Sequence, residues 1–357
     1  MDTAFLPVNL DYKPHFPAGP GLGVGIIGCG TIAKAAHLPA YNKYGVNVVG
    51  VYDVSPAATT GVQQQFGVPH VFGSLDELLS HPEIQVVDIA THPAERVGIM
   101  HRALEAGKHI LAEKPFTPDL KSALEVVAEA ERRGLKVAVN QSGRWNPAWR
   151  VATLLIEQGL IGDVLAVTHM YDVNFNWWIP GTVFDGLQHF AIYDYSIHWI
   201  DIIRCWMGGK KVTEVRARDY RNPNQVPESK ANYGSWIEFA YEDGSSAMIR
   251  GVGCAETKKG GHPFWIHGRE GTIRGSVQLG TDFVELEREG ASCRYALEGQ
   301  WYPDGFAGAM GELLCAIAEN REPFNSARHN LLSLQMMFAA CRSADEGGCP
   351  VKLEEVF

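Results

Sequence analysis

Val24-Gly25-Ile26-Ile27-Gly28-Cys29-Gly30-Thr31-Ile32-Ala33 is an apolar run that enters a glycine turn, and a second apolar run, Val46 to Tyr52, ends at Asp53. A strand, a Gly-x-Gly-x-x-Ala turn, a helix and an acid twenty-three residues beyond Gly30 have the form of a dinucleotide-binding βαβ unit. Gly28 permits the tight turn, and Gly30 lets backbone approach a pyrophosphate. Ala33 is small enough for the helix to pack on the strand, and the helix N-terminus faces the phosphate charge. Asp53 stands where a carboxylate accepts hydrogen bonds from the adenosine ribose hydroxyls and repels a 2′-phosphate. Val54 and Ser55 offer no arginine for such a phosphate, so NAD is the expected cofactor. A glycine turn without a ligand is the competing reading, and the flanking strand and well-spaced acid outweigh it.

Outward from this turn, strands and helices alternate. Apolar strands are expected at 24–27, 46–52, 86–90, 109–112 and 136–140. Helices are expected at 32–44, interrupted near Pro39, and at 56–66, 75–80, 94–106 and 119–133. Apolar strands separated by helices imply a parallel sheet covered on both faces. Gly107 and Gly134 follow two of the helices as left-handed caps. After Pro147 the pattern changes to a helix at 149–158, then strands of alternating character from 163 onward. A helix at about 189–206 interrupts them, and Asp243-Gly244 marks a hairpin. The fold class is therefore α/β: a Rossmann domain with a parallel sheet at 23–144, then an α+β domain with a largely antiparallel open sheet at 145–357. Residues 1–22, with Pro7, Pro14, Pro17 and Pro20, read as an extended arm.

Composition narrows the partners. The 357 residues carry 31 Lys plus Arg against 41 Asp plus Glu, a net charge of −10, with no basic stripe for a phosphate backbone. Nucleic acid is thus an unexpected partner. The N-terminal stretch lacks a basic start and apolar h-region, and no run reaches the ~18 apolar residues of a membrane helix. The seven scattered cysteines show no metal or disulfide spacing and fit reduced, mostly buried thiols in a cytoplasmic setting. No metal is called for, because His262 and His267 lack nearby carboxylate or thiol partners in sequence.

Ligands bind outside the carboxyl ends of the strands in an open α/β sheet. That rule places Lys114 in the cofactor crevice, and Thr31, Ile32, Thr91, His92, Glu113 and Asn140 are further candidate cofactor contacts beside Gly28, Gly30 and Asp53. Lys114 follows a strand and precedes Pro115, so it projects into the crevice with limited backbone freedom; a solvated surface lysine is the alternative. Asp194 and His198 are four apart and share one helix face, with Cβ atoms roughly 5–6 Å apart. A carboxylate there orients an imidazole and favours its protonated form, as general acid–base work requires. Ile192, Tyr193, Tyr195, Ile197, Trp199 and Ile200 suggest a helix buried nearly all round. The run Asn174-Phe175-Asn176-Trp177-Trp178, with His189 beyond it, pairs aromatic faces with amides, the means by which proteins hold pyranose rings; an aromatic core is an equally common use.

Taken in order, these residues resemble the glucose-fructose oxidoreductase / inositol dehydrogenase / rhizopine catabolism (Gfo/Idh/MocA) superfamily of nicotinamide-dependent sugar and polyol dehydrogenases. The resemblance covers residues 23–345. It rests on the glycine turn at 25–33, His37-Leu38-Pro39-Ala40, Ala106-Gly107-Lys108-His109 and Glu113-Lys114-Pro115. It continues through Arg144-Trp145-Asn146-Pro147, Gly159-Leu160-Ile161-Gly162 and Asp194-x-x-x-His198 followed by Trp199-Ile200-Asp201. It implies catalytic roles for Lys114, Asp194 and His198, a commonly cis Lys-Pro peptide, and a homodimer or homotetramer built on the open sheet. Arg144, Trp145, Asn174, Asn176, Trp177 and His189 join Lys114, Asp194 and His198 as candidate substrate contacts. The expected reaction is NAD-dependent oxidation of a secondary ring hydroxyl of a sugar, glycoside or cyclitol. Two alternatives stand beside it. One is a redox-neutral enzyme that keeps NAD and cleaves a glycoside by oxidation, elimination and re-reduction; the other is a non-catalytic regulator. The segment Gln188-His189-Phe190-Ala191-Ile192-Tyr193 replaces the family's glycine-rich approach to the Asp, and the N-terminal arm has no counterpart in the shortest members.

Overall fold

The computed structural model describes residues 10–19, 21–256, 261–278, 280 and 282–356. The chain forms two compact units, Lys13–Trp145 with Gln300–Leu331, and Met1–Tyr12 with Asn146–Gly299 and Leu332–Phe357. The expected arm at 1–22 lies partly outside the described residues; its described part, 10–19 and 21–22, holds no helix or strand.

The first unit carries a six-stranded sheet in the order β3-β2-β1-β4-β5-β6. These strands are β1 (Val24–Ile27), β2 (Val48–Tyr52), β3 (His70–Val71), β4 (Val86–Ile89), β5 (His109–Ala112) and β6 (Val137–Val139). All its pairings are parallel. β1, β4 and β6 are wholly buried, as apolar strands covered on both faces should be. The connecting helices are α1 (Leu38–Tyr44), α2 (Pro56–Phe66), α3 (Leu75–Ser80), α4 (Pro93–Glu105) and α5 (Leu120–Arg133). Gly107 and Gly134 take the left-handed conformation expected of caps. The helix after the glycine turn is irregular, but not at Pro39 itself. A π-helical turn, Ala33–His37, precedes α1, and the Leu38 N–H bonds Ala33 O. The widened turn places the irregularity just upstream of the proline, which has no N–H to give.

The second unit begins with α6 (Pro147–Glu157) and holds a nine-stranded sheet. Its strands are β7 (Val164–Asp172), β8 (Val212–Tyr220), β9 (Gly234–Tyr241), β10 (Ser246–Val252), β11 (His262–Gly268), β12 (Thr272–Val277), β13 (Phe283–Arg288), β14 (Ala291–Tyr295) and β15 (Val351–Lys352). The order is β14-β13-β12-β11-β7-β10-β9-β8-β15, antiparallel except where β7 and β10 run parallel. Gly244, at φ +82°, turns β9 into β10 as the Asp-Gly pair indicated. β14 and β15 were not expected; one carries little apolar signal and the other is two residues long. α7 (Ile197–Trp206) packs on this unit, α8 (Phe306–Ala318) belongs to the first, and the chain passes from the first to the second within α9 (Ala327–Asp345). No helix among the described residues is long and apolar enough to cross a membrane.

Candidate functional site

Strand register builds the edge on which a nucleotide can lie. Ile27 pairs with Tyr52 on one side and Ile89 on the other; Ile89 pairs with Ala112, and Ala112 with Val139. The next residues, Asp53, Gly28, Ala90, Glu113 and Asn140, therefore share the carboxyl edge of the sheet. Gly28 has φ +101°, and a Cβ there would stand 2.8 Å from Ala90 O and 3.2 Å from Thr91 Cγ2. Only glycine allows the turn to pass so close to the β4 exit. Gly30 is exposed and a Cβ on it would meet nothing within 4 Å, an open cradle above the helix that follows.

Asp53 braces this turn. Its Oδ2 accepts the Cys29 N–H at 2.7 Å and its Oδ1 the Ser55 N–H at 2.8 Å. Each oxygen retains a lone pair for a further donor, such as a ribose hydroxyl. Thr91 Oγ1 and Asn140 Oδ1 are buried without a hydrogen-bond partner among the described residues. Open space at Gly30, spare acceptors on Asp53 and two orphaned polar atoms along one sheet edge fit a dinucleotide. Thr31 and His92 are exposed, and Ile32 and Thr91 half-buried, along the same edge. Burial, with Asp53 nearby, pushes the Cys29 thiol up to about 12, so it stays a neutral filler of the turn.

Glu113-Lys114-Pro115 leaves β5 through a dense polar frame. The Lys114–Pro115 peptide is cis. Lys114 is half-buried, whereas Glu113, Pro115 and Phe116 are buried. Buried Arg96, on α4, bonds the carbonyls of Thr91, Glu113 and Pro115, the last at 2.5 Å, and that of Phe116 at 3.4 Å. One guanidinium thus ties the β4 exit to the β5 exit. The Glu113 carboxylate turns inward: Oε1 accepts the Asn140 amide at 2.5 Å and lies 2.9 Å from His37 Nε2, and Oε2 accepts the Lys114 N–H at 3.0 Å. Arg144 and Trp145 lie in the same unit's interior. Arg144 bonds the Phe324 carbonyl, and Trp145 packs on Gly308, where a Cβ would stand 2.2 Å from Trp145 Cγ.

In the second unit, Asp194 and His198 do not lie on one regular helix. Asp194 sits in a π-helical turn, Ala191–Tyr195, that ends in the bond from Ser196 N–H to Ala191 O at 3.1 Å; His198 is in the first turn of α7. The expected burial on all sides is also corrected. Ile192, Ser196, Ile197, Trp199 and Ile200 are buried, while Tyr193, Asp194, Tyr195 and His198 are half-exposed. The segment keeps these apolar residues inside and leaves the carboxylate and the imidazole half-exposed. Behind it, Tyr195 stacks on Trp199 at 4.9 Å and meets Phe175 edge-on at 4.8 Å.

The aromatic loop is held by its own amides. Asn174 Nδ2 bonds Glu256 at 3.1 Å, and its Oδ1 caps the Asn176 N–H. Asn176 joins the loop to residues 224 and 226, donating to Asn224 O at 2.9 Å and accepting the Val226 N–H at 3.0 Å. Both amides thus also brace the loop. Trp177 is 78% exposed. His189 has φ +52°, and its ring nitrogens lie 3.2 Å from Asp219 and 3.1 Å from Asp345. The contact with Asp219 keeps its proton bound above the ordinary imidazole range. Sequence reading missed Arg96, the His37 cluster and Asp185. The acid inside the apolar run Val86-Val87-Asp88-Ile89 was the available signal.

Comparison with known proteins agrees with this edge. A family model described as oxidoreductase family, NAD-binding Rossmann fold (GFO_IDH_MocA) matches residues 22–141. Its companion, the oxidoreductase family C-terminal alpha/beta domain, matches residues 154–353. The uncharacterized oxidoreductase YhhX of Escherichia coli is 34% identical over 219 residues, covering 60% of this chain and 59% of that protein. The D-apiose dehydrogenase of Paraburkholderia graminis is 25% identical over 304 residues, covering 80% of this chain and 77% of that one. A crystal structure of an oxidoreductase from Agrobacterium radiobacter in complex with NAD+, L-tartaric acid and magnesium shares the fold. Its TM-score is 0.84 at 21% identity, over 95% of this chain and 100% of that one.

Proposed function

The chain belongs to the Gfo/Idh/MocA oxidoreductase family, with its NAD-binding Rossmann domain and its C-terminal α/β domain, and on that premise we propose that it oxidises a secondary ring hydroxyl of a sugar, glycoside or cyclitol to a ketone. The observation that carries this reading is the clamped exit of β5, where Arg96 and Glu113 fix the main chain on either side of a half-exposed Lys114. Bound NAD+ supplies a hydride acceptor. The Lys114 ammonium donates a charge-assisted hydrogen bond to the substrate oxygen and stabilises the alkoxide as it forms. His198 takes the hydroxyl proton, and Asp194 accepts the opposite ring N–H and orients the imidazole. An acid–base group of this kind contributes ~10²–10⁴-fold, and holding the ring in place contributes much of the rest. Trp177, exposed at the tip of its loop, is the stacking wall for that ring. Asp53 favours NAD over NADP, since its carboxylate would face a 2′-phosphate. Assembly as a homodimer or homotetramer uses the outer face of the nine-stranded sheet, which presents Leu165 and Met248.

The test is NADH formation from NAD+ with free sugars, glycosides and inositols, beside NADP+ and a Lys114→Ala control. We expect NADH with one substrate group, little NADPH, and no turnover in the control. Silence across the panel from protein that retains NAD tightly would reject the dehydrogenase in favour of a redox-neutral cycle.

A further inference from the structure

Behind Lys114 lies a set of charges that a sheet interior rarely holds. Asp88 is fully buried in the middle strand β4. Its Oδ2 accepts the Tyr41 hydroxyl at 2.5 Å and lies 2.6 Å from His37 Nδ1. The other ring nitrogen of His37 lies 2.9 Å from Glu113 Oε1. An imidazole flanked by a carboxylate at each nitrogen satisfies both only as imidazolium, a donor at both ends. Burial opposes that charge, but Asp88 and Glu113 outweigh it and hold His37 well above the ordinary imidazole range. The ring has no exposed surface and packs edge-on against Phe306 at 5.0 Å. It therefore touches no substrate, and whatever it does for chemistry it does through Glu113.

We infer that His37, as a buried imidazolium bridging Asp88 and Glu113, is a positioning residue for Lys114. It fixes the Glu113 carboxylate, whose Oε2 holds the Lys114 N–H, and so sets where the lysine chain leaves the sheet. Arg96 holds the flanking carbonyls, and the two contacts leave the backbone at Lys114 no other register. The inference rests on the reading that Lys114 meets the reacting hydroxyl, and it extends the site to residues that no substrate reaches. The π-helical turn Ala33–His37 is part of the device, because it carries the His37 ring into the core beside β4.

The experiment uses the full chain with His37→Gln, Asp88→Asn and, as control, His101→Gln, whose ring pairs with Glu129 at 2.5 Å away from this frame. Competitive acetylation by acetic anhydride, read by peptide mass spectrometry, gives the reactivity of Lys114 relative to Lys43 and Lys108 in the same sample. The first two variants should change that ratio, and the control should not. With a substrate from the panel, kcat should fall about 10–100-fold in both variants while the Kd for NADH stays unchanged. In the wild-type protein, ¹⁵N spectra should show His37 protonated at both nitrogens at about pH 8, where an ordinary imidazole is neutral. A neutral His37 ring overturns the inference, even if His37→Gln fails to fold. Unaltered Lys114 labelling and kcat in folded variants also overturn it, leaving the dehydrogenase reading in place. Turnover that survives Lys114→Ala removes the catalytic reading instead, and the labelling ratio then judges the frame by itself.

Discussion

His37 shows how much one residue can carry when its partners lie far off in the chain. Asp88 and Glu113 stand 51 and 76 positions away, so no local pattern reveals the cluster. In the sequence His37 stands out only as part of a motif, and Asp88 is simply one residue of the apolar strand expected at 86–90. The cluster makes stability depend on pH in a definite direction. In the unfolded chain an imidazole titrates near pH 6.5, and in the folded chain His37 keeps its proton to about 10. Its contribution is complete below about pH 6.5 and declines as pH rises through that interval. For Glu113, burial raises the carboxyl pKa, but the His37 hydrogen bond and charge outweigh it and hold it down to about 2, from an ordinary value of 4.5. Its contribution is present above 4.5 and lost as pH falls toward 2. Both terms are at their maximum between about pH 4.5 and 6.5. Breaking such a buried pair costs about 3–5 kcal/mol. Urea unfolding of wild type and His37→Gln should differ by roughly that amount near pH 5.5 and by progressively less at pH 7.5 and 9. A gap that widened with pH would contradict the charge assignment.

Elements were legible where one period rules them. Five of the six strands of the first sheet are short apolar runs, and Gly107 and Gly134 stop their helices, so these were visible in sequence; β3, two exposed residues, was not. The two π-helical turns were not, because a single extra residue in a turn leaves the apolar spacing almost intact. Yet one carries His37 into the core, and the other holds Asp194 in a widened turn just before the helix that carries His198. The aromatic loop shows something that the residues could not: Asn174 and Asn176 have the chemistry of sugar contacts, and only tertiary pairing shows that their amides also hold the loop together. At the centre of that construction is Asp185, buried, which accepts Ser229 Oγ and the Lys230 N–H at 2.8 Å and the Ala231 N–H at 3.2 Å. Burial raises its pKa, and these donors overcome that and hold it below the usual carboxylate range. Asp185→Ala leaves the buried Ala231 N–H and Ser229 hydroxyl without this acceptor and should cost about 1.5–3 kcal/mol. Limited proteolysis should then cut first within 173–190 or 221–233, and the Trp177 stacking wall should be lost as a raised KM. Unchanged cleavage with unchanged KM would show that the carboxylate does not organise the loop.

For the molecule as a whole, chain order and compact units do not coincide. The change from parallel to mixed pattern near Pro147 is a local signal, and it says nothing of a segment that returns to the first unit after residue 299. That return is extensive. Trp301 Nε1 bonds Ser142 Oγ at 3.1 Å, and Asp304 takes the Tyr44 hydroxyl at 2.7 Å and the Lys43 ammonium at 2.5 Å. Phe306 covers His37, Gly308 receives the Trp145 ring, and Asn325 exchanges bonds with Val139, accepting its N–H at 2.8 Å and donating to its carbonyl at 3.1 Å. Helix α8 is therefore part of the core that supports the nucleotide edge, although it begins 167 residues beyond the last strand of that sheet. A fragment of residues 23–144 should consequently lack a cooperative unfolding transition and bind NADH weakly or not at all. Joining 13–145 to 300–331 through a flexible linker should restore both. At NADH near 100 times its Kd, the joined fragment should gain about 2.7 kcal/mol, as a ligand selective for the folded state requires. If the 23–144 fragment bound NADH as tightly as the full chain, α8 and Phe306 would be packing alone, and the His37 frame would need no cover from the far end of the chain.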